Sequence, residues 1–62
     1  MEVGDIVQNN KYTEDYGVGV VYDIVDQEGD LWVKVHWAGA RILEFDNNNW
    51  WRSFEVKLIS EV

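Results

Sequence analysis

The stretch Leu31-Trp32-Val33-Lys34-Val35-His36-Trp37 decides the fold class. In an extended chain Leu31, Val33, Val35 and Trp37 share one face, while Trp32, Lys34 and His36 share the other. Sustained alternation rich in β-branched and aromatic side chains predicts a strand, half buried. Upstream, Asp26-Gln27-Glu28-Gly29-Asp30 reads as a turn, with Gly29 at the position needing positive φ. Before it, residues 17–25 predict a second strand with Val18, Val20, Tyr22 and Ile24 on one face. Gly17 and Gly19 permit a close backbone approach there. Residues 3–8 predict a first strand that bends at Gly4-Asp5, and residues 9–16 a long irregular polar loop. Downstream, Ala38-Gly39-Ala40 is a tight connection and residues 41–45 a fourth strand. Residues 46–49 form a loop and residues 50–54 a short turn of 3₁₀ type. Residues 56–59 close the chain as a last strand with Val56 and Leu58 inward. No window carries the i, i+3, i+4, i+7 apolar stripe of an amphipathic helix.

Composition sets limits on this reading. Sixty-two residues make one domain, 1–62, with a small core and modest stability. With 47% apolar residues and four tryptophans, the chain is too apolar for disorder. There is no cysteine, so neither a disulfide nor a thiolate metal site is available. The apolar runs are too short to span a membrane, and no leader-like pattern opens the chain.

The net charge is −7, and it is unevenly placed. Residues 1–30 hold eight acids against Lys11 alone, whereas residues 31–62 hold four acids and four bases. Nucleic-acid affinity depends on neutralising phosphates with Lys and Arg, so this balance argues against a nucleic-acid partner. It favours a basic protein partner, or simply the solubility of a Trp-rich domain.

Five short strands, a long first loop and a turn before the last strand describe a small, strongly bent antiparallel barrel with an SH3-like layout. The quoted segments carry a further likeness: Val3-Gly4-Asp5-Ile6-Val7, Gly17-Val18-Gly19-Val20-Val21, Val33-Lys34-Val35-His36-Trp37 and Phe54-Glu55-Val56-Lys57-Leu58-Ile59. Together they resemble small SH3-like barrel proteins of tailed bacteriophages, including those that infect cyanobacteria. The layout is also similar to KOW, Tudor and Mib/Herc-type modules, which bind RNA or proteins. The resemblance implies a fold and transfers no catalytic or ligand residue. Trp50-Trp51 beside the asparagine run departs from it.

The candidate binding residues are Tyr12, Glu14, Asp15, Tyr16, Trp32, Trp50 and Trp51. Trp50 and Trp51 are adjacent, so one packs inward while the other stays partly exposed as an anchor, unless both cap the barrel ends. Tyr12 and Tyr16 flank Glu14 and Asp15 in the first loop. There they either recognise a basic peptide or fold back to pin the loop. Trp32 either forms a cross-strand pair or, with Tyr22 or Trp37 at a rim, joins an aromatic cage. His36 is expected to be a partly buried strand residue. Asp26, Glu28 and Asp30 read as a solvated turn and not a cation site. Ser53, Ser60 and Thr13 have no evident link to His36, so no nucleophile–base set emerges.

These observations predict a non-enzymatic protein-binding module without cofactor or metal. The phage resemblance implies a cytoplasmic setting in an infected host and a host or phage protein as target. A virion or assembly component is a second reading. A nucleic-acid-binding or nucleic-acid-mimicking module is a third.

Overall fold

The computed structural model describes residues 1–39 and 47–62. The strand expected at residues 41–45 lies outside them, as do Ala40 and Asp46. The chain is all-β apart from short helical turns. Strand β1 is Ile6–Asn9, β2 Val18–Gln27, β3 Asp30–Trp37, β4 Trp50–Arg52 and β5 Val56–Ser60. They form one antiparallel sheet in the order β4-β3-β2-β1-β5, which is not closed and ends in β4 on one side and β5 on the other.

The β2–β3 hairpin is the backbone of the sheet. Gln27 pairs with Asp30 across the two residues Glu28 and Gly29, whose φ values are 54° and 85°. Positive φ at both central positions is the turn geometry that matches the strands' right-handed twist. From there the alternation in β3 holds as expected. Val33, Val35 and Trp37 are buried, Leu31 is half-buried, and His36 lies exposed on the other side. The expectation that His36 is partly buried is thereby corrected.

Strand β2 does not keep one alternation. The register passes from Val21↔Val35 to Asp23↔Lys34, so Tyr22 is an extra residue without a partner. A bulge of this kind reverses which side chains face inward. Before it, Gly19 and Val21 are buried while Val18 and Val20 are exposed; after it, Ile24 packs against the core. The single face expected for Val18, Val20, Tyr22 and Ile24 is therefore split. Bulged Tyr22 points outward and its hydroxyl donates to the Asn47 carbonyl oxygen. Asn47 also accepts, on Oδ1, the Trp37 backbone N–H at 2.9 Å.

The core consists of Val7, Val21, Val33, Val35, Trp37 and Val56, with Tyr16, Ile24 and Trp51 packed against it. Burying a valine side chain contributes on the order of 1.5–3 kcal/mol, so Trp37, 1% exposed, is the largest single element of this core. Gly19 lies beneath it. A Cβ there would fall 2.9 Å from Trp37 Cε3 and 2.4 Å from Val35 Cγ1.

Three other expectations shift. Strand β1 starts at Ile6, not at residue 3, because Val3-Gly4 forms a turn. The 3₁₀ turn is Ser53–Glu55, and Trp50 and Trp51 belong instead to β4, where Trp51 pairs with Val33 and Trp50 with Lys34. Val56 is inward as expected, and Leu58, opposite buried Val7, shares that face but is 37% exposed on the edge strand β5.

The ends of the chain are fastened by a buried acid. Asp5 is 2% exposed, and its carboxylate accepts the Val62 N–H at 2.9 Å and the Glu2 N–H at 2.7 Å. These two bonds, with the nearby N-terminal charge, hold its pKa below the ordinary 3.8 against the opposing effect of burial.

Candidate functional site

The first loop is built around Asn9. Its side chain is buried, and Oδ1 accepts the N–H groups of Lys11 at 2.9 Å and Tyr12 at 2.7 Å. An asparagine that caps the two following N–H groups offers the backbone an alternative to continuing the strand. The chain then makes one helical turn, Thr13–Tyr16, with Tyr16 N–H on Tyr12 O at 3.0 Å. The loop expected to be irregular is thus partly helical. Two bonds from Asn10 tie it to the 3₁₀ turn: its N–H reaches Glu55 O at 3.0 Å and Nδ2 reaches Phe54 O at 2.9 Å. The 3₁₀ turn is itself capped by Glu55, whose Oε1 accepts the Arg52 N–H at 3.1 Å.

The helical turn is also seated on the connection after β3. Gly39 N–H donates to Tyr16 O at 2.8 Å. A Cβ on Gly39 would meet Asp15 O at 2.2 Å, so only glycine fits this contact without moving the loop.

Between loop and 3₁₀ turn runs a groove of about 190 Å³. Tyr12 and Phe54 form its walls, with Asn10, Lys11, Trp51 and Glu55 along it. Phe54 is 69% exposed and Tyr12 is exposed beside it. Glu14 and Asp15 lie on the adjoining surface with Lys11 and Thr13.

The two candidate tyrosines have different places. Tyr16 turns inward: its ring meets Trp37 and Trp51 edge-on, both at 5.3 Å, and those two indoles meet each other edge-on at 5.9 Å. Such edge-to-face pairs are favourable beyond the area they bury. Tyr12 leans on Tyr16 at 6.1 Å and keeps its outer side free of the core. The indole N–H groups of Trp37 and Trp51 are buried with no hydrogen-bond partner among the described residues.

No protein-family model, curated protein or solved structure matches the chain.

The remaining candidates form a second patch on the outer face of β3 and β4. Trp32 stands opposite Arg52 and Lys34 opposite Trp50. Arg52 Cζ lies 4.8 Å from the Trp32 ring and Lys34 Nζ 4.8 Å from the Trp50 ring. Arg52 also lies 5.9 Å from Phe54, so it forms the ridge between the two patches. A shallow groove of about 390 Å³, lined by Val25, Gln27, Trp32 and Trp50, runs along this face. Trp37 cannot join Trp32 in an aromatic cage, because it is buried on the other side of the sheet, and Tyr22, the other candidate ring, is exposed with its hydroxyl on the Asn47 carbonyl oxygen. Among the described residues no group of three His, Asp or Glu side chains converges to hold a metal. Nor is any helix among the described residues long and apolar enough to cross a membrane.

The structure therefore distributes the seven candidates over three places. Tyr12, Glu14 and Asp15 border the loop groove, Tyr16 and Trp51 tie that groove to the core, and Trp32 and Trp50 line the outer face. Phe54 was missed. Its reading as part of a turn gave no reason to expect exposure, although an aromatic beside the turn residue Ser53 was a usable signal.

Proposed function

We propose that this chain is a non-enzymatic protein-binding module with an SH3-like barrel form, and that its contact surface is the groove between the first loop and the 3₁₀ turn. The barrel form is inferred from one connection. Five flat strands would set the two edges about 19 Å apart, whereas the three residues between β4 and β5 reach at most about 14 Å. Curling the sheet so that β4 approaches β5 resolves the difference. The sequence resemblance to small phage-encoded barrels supports this reading, and the setting it implies is an infected host cell with a host or phage protein as target.

The observation that carries the functional reading is that exposed Phe54 and exposed Tyr12 line one groove, whose loop and 3₁₀ turn are hydrogen-bonded together. Rigid aromatic walls are typical anchors for a peptide segment. The loop acids Glu14 and Asp15, with −7 overall, favour a segment carrying Lys or Arg and speed its approach.

The test is a pull-down from host lysate, with and without nuclease, using the wild type, Phe54→Ala and Glu14→Lys/Asp15→Lys. A stoichiometric protein that survives nuclease, is lost with Phe54→Ala and is weakened by the charge reversal supports the reading. Self-association without a partner, or recovery with assembled particles, would replace it with the assembly role.

A further inference from the structure

The outer face of β3 and β4 has a charge character opposite to that of the rest of the molecule. Lys34 and Arg52 are two of the five basic residues in the chain. Both sit on this face, each over a tryptophan ring at 4.8 Å. Neither has a carboxylate within salt-bridge distance among the described residues, and Glu55 spends its carboxylate on the Arg52 backbone N–H rather than the guanidinium. Asp23, the β2 partner of Lys34, turns its Oδ1 to the Ile24 N–H at 2.9 Å. The positive groups thus lie over indole faces, with no ion pair to an acid among the described residues. Beside them lies the apolar groove of Val25, Trp32 and Trp50.

We infer that this face is a second docking surface, and that its occupant is an extended protein segment bearing carboxylates at two alternate positions with an apolar side chain at the next alternate position, on the same face. The register supports the spacing. Lys34 and Arg52 are diagonal neighbours across β3 and β4, which sets their Cβ atoms roughly 7–8 Å apart. Side chains two apart on an extended strand project to the same side about 7 Å apart. One carboxylate meets Arg52, the next meets Lys34, and an aliphatic side chain of the segment rests against Val25 and Trp32. A single-stranded nucleic acid could also stack on these indoles, but its charge continues along the backbone. It would pass the acidic hairpin tip of Asp26, Glu28 and Asp30, which adjoins groove residue Gln27. A peptide can place its two charges on the two cations and carry none beyond. This surface adjoins the loop groove through the Arg52–Phe54 contact but involves neither Tyr12 nor the acids beside it.

The experiment is a chemical-shift titration of the ¹⁵N-labelled chain, following the four indole N–H signals. Three probes are used: a short peptide of the pattern Glu-Thr-Glu-Thr-Val, whose glutamates and valine share one face when extended, the same peptide with lysine for glutamate, and oligothymidylate. The expected result is that only the glutamate peptide moves the Trp32 and Trp50 indoles while those of Trp37 and Trp51 stay in place. Lys34→Gln and Arg52→Gln, each first shown by circular dichroism to fold, should weaken that binding roughly fivefold apiece. Three results would overturn the proposal: no response to the glutamate peptide, an equal response to the lysine peptide, or tighter binding of oligothymidylate. Wild-type affinity retained in both glutamine variants would overturn it too, because the two cations would then have no part in recognition.

Discussion

Trp50 and Trp51 are neighbours on one short strand and do different work. Trp51 faces inward, edge-on to Tyr16 and Trp37. Trp50 faces outward, 39% exposed beneath Lys34. The same contrast runs through β3, where buried Trp37 and half-buried Trp32 lie on opposite faces. Residue type does not separate the two sets; strand parity does. Inner indoles stabilise a core that has few other large members, and outer indoles hold cations at the surface.

The sharpest way to break this division is Trp37→Ala. Removing a buried tryptophan costs about 3–5 kcal/mol, against a total stability of roughly 3–9 kcal/mol for a domain of this length. The variant is expected to be largely unfolded or to melt far below the wild type in urea, read by circular dichroism. A wild-type urea midpoint would mean the aromatic triad is not the centre of the core. Trp51→Ala comes next. Its ring is half-buried and borders the loop groove, so a loss of about 2–4 kcal/mol is expected. Binding at the Tyr12–Phe54 groove should fall with it, because Trp51 holds Tyr16 and so the loop.

Acid tests a third region, the junction of the two chain ends. Asp5 has a lowered pKa in the folded state because its carboxylate accepts the Val62 and Glu2 N–H groups. Its contribution is therefore present above the ordinary 3.8 and is lost as pH falls through the lower folded value. Urea midpoints measured between neutral pH and the acid range should fall for the wild type across that window. In Asp5→Asn they should start lower and fall less. An identical pH profile in the two proteins would show that the carboxylate does not fasten the termini.

Much of the fold was legible in β3, where alternation persists and one face is fully buried. It failed in β2 because a bulge leaves no compositional mark: Tyr22 is as suited to a regular strand as to the extra position. It failed at Trp50 and Trp51 because adjacent tryptophans are compatible with a turn, and the strand is only three residues long. Leu58 lies on the inner face as alternation indicated, but its exposure was not legible, because alternation cannot tell a central strand from an edge. In the site, adjacency left two alternatives for Trp50 and Trp51, opposed facing or both capping the barrel ends, and the β3–β4 register was needed to choose between them. The separate fates of Tyr12 and Tyr16 were not legible either. They depend on Asn9 and Gly39, whose contacts cross many residues of sequence or fold the chain back locally. The pairing of Lys34 with Trp50 and Arg52 with Trp32 required the β3–β4 register, which no local pattern contains.

The smallest expected effect discriminates best between the two faces. Trp50→Ala removes an exposed ring and one cation–π contact, and surface changes of this kind usually alter stability by no more than about 0.5 kcal/mol. The exposed Lys34–Trp50 pair should itself couple by about 0.5–1 kcal/mol in a double-mutant cycle with Lys34→Ala. A small single effect with a small positive coupling fits a surface where the indole positions the ammonium group rather than supporting the sheet. If Trp50→Ala instead costs as much as Trp51→Ala, the outer indole is holding β4 to β3. The contrast drawn from parity would then collapse, because both faces of the strand would be structural. A stability change that appears only in Trp50→Ala and not in Lys34→Ala would locate that support in the ring's contact with the sheet and not in the cation above it.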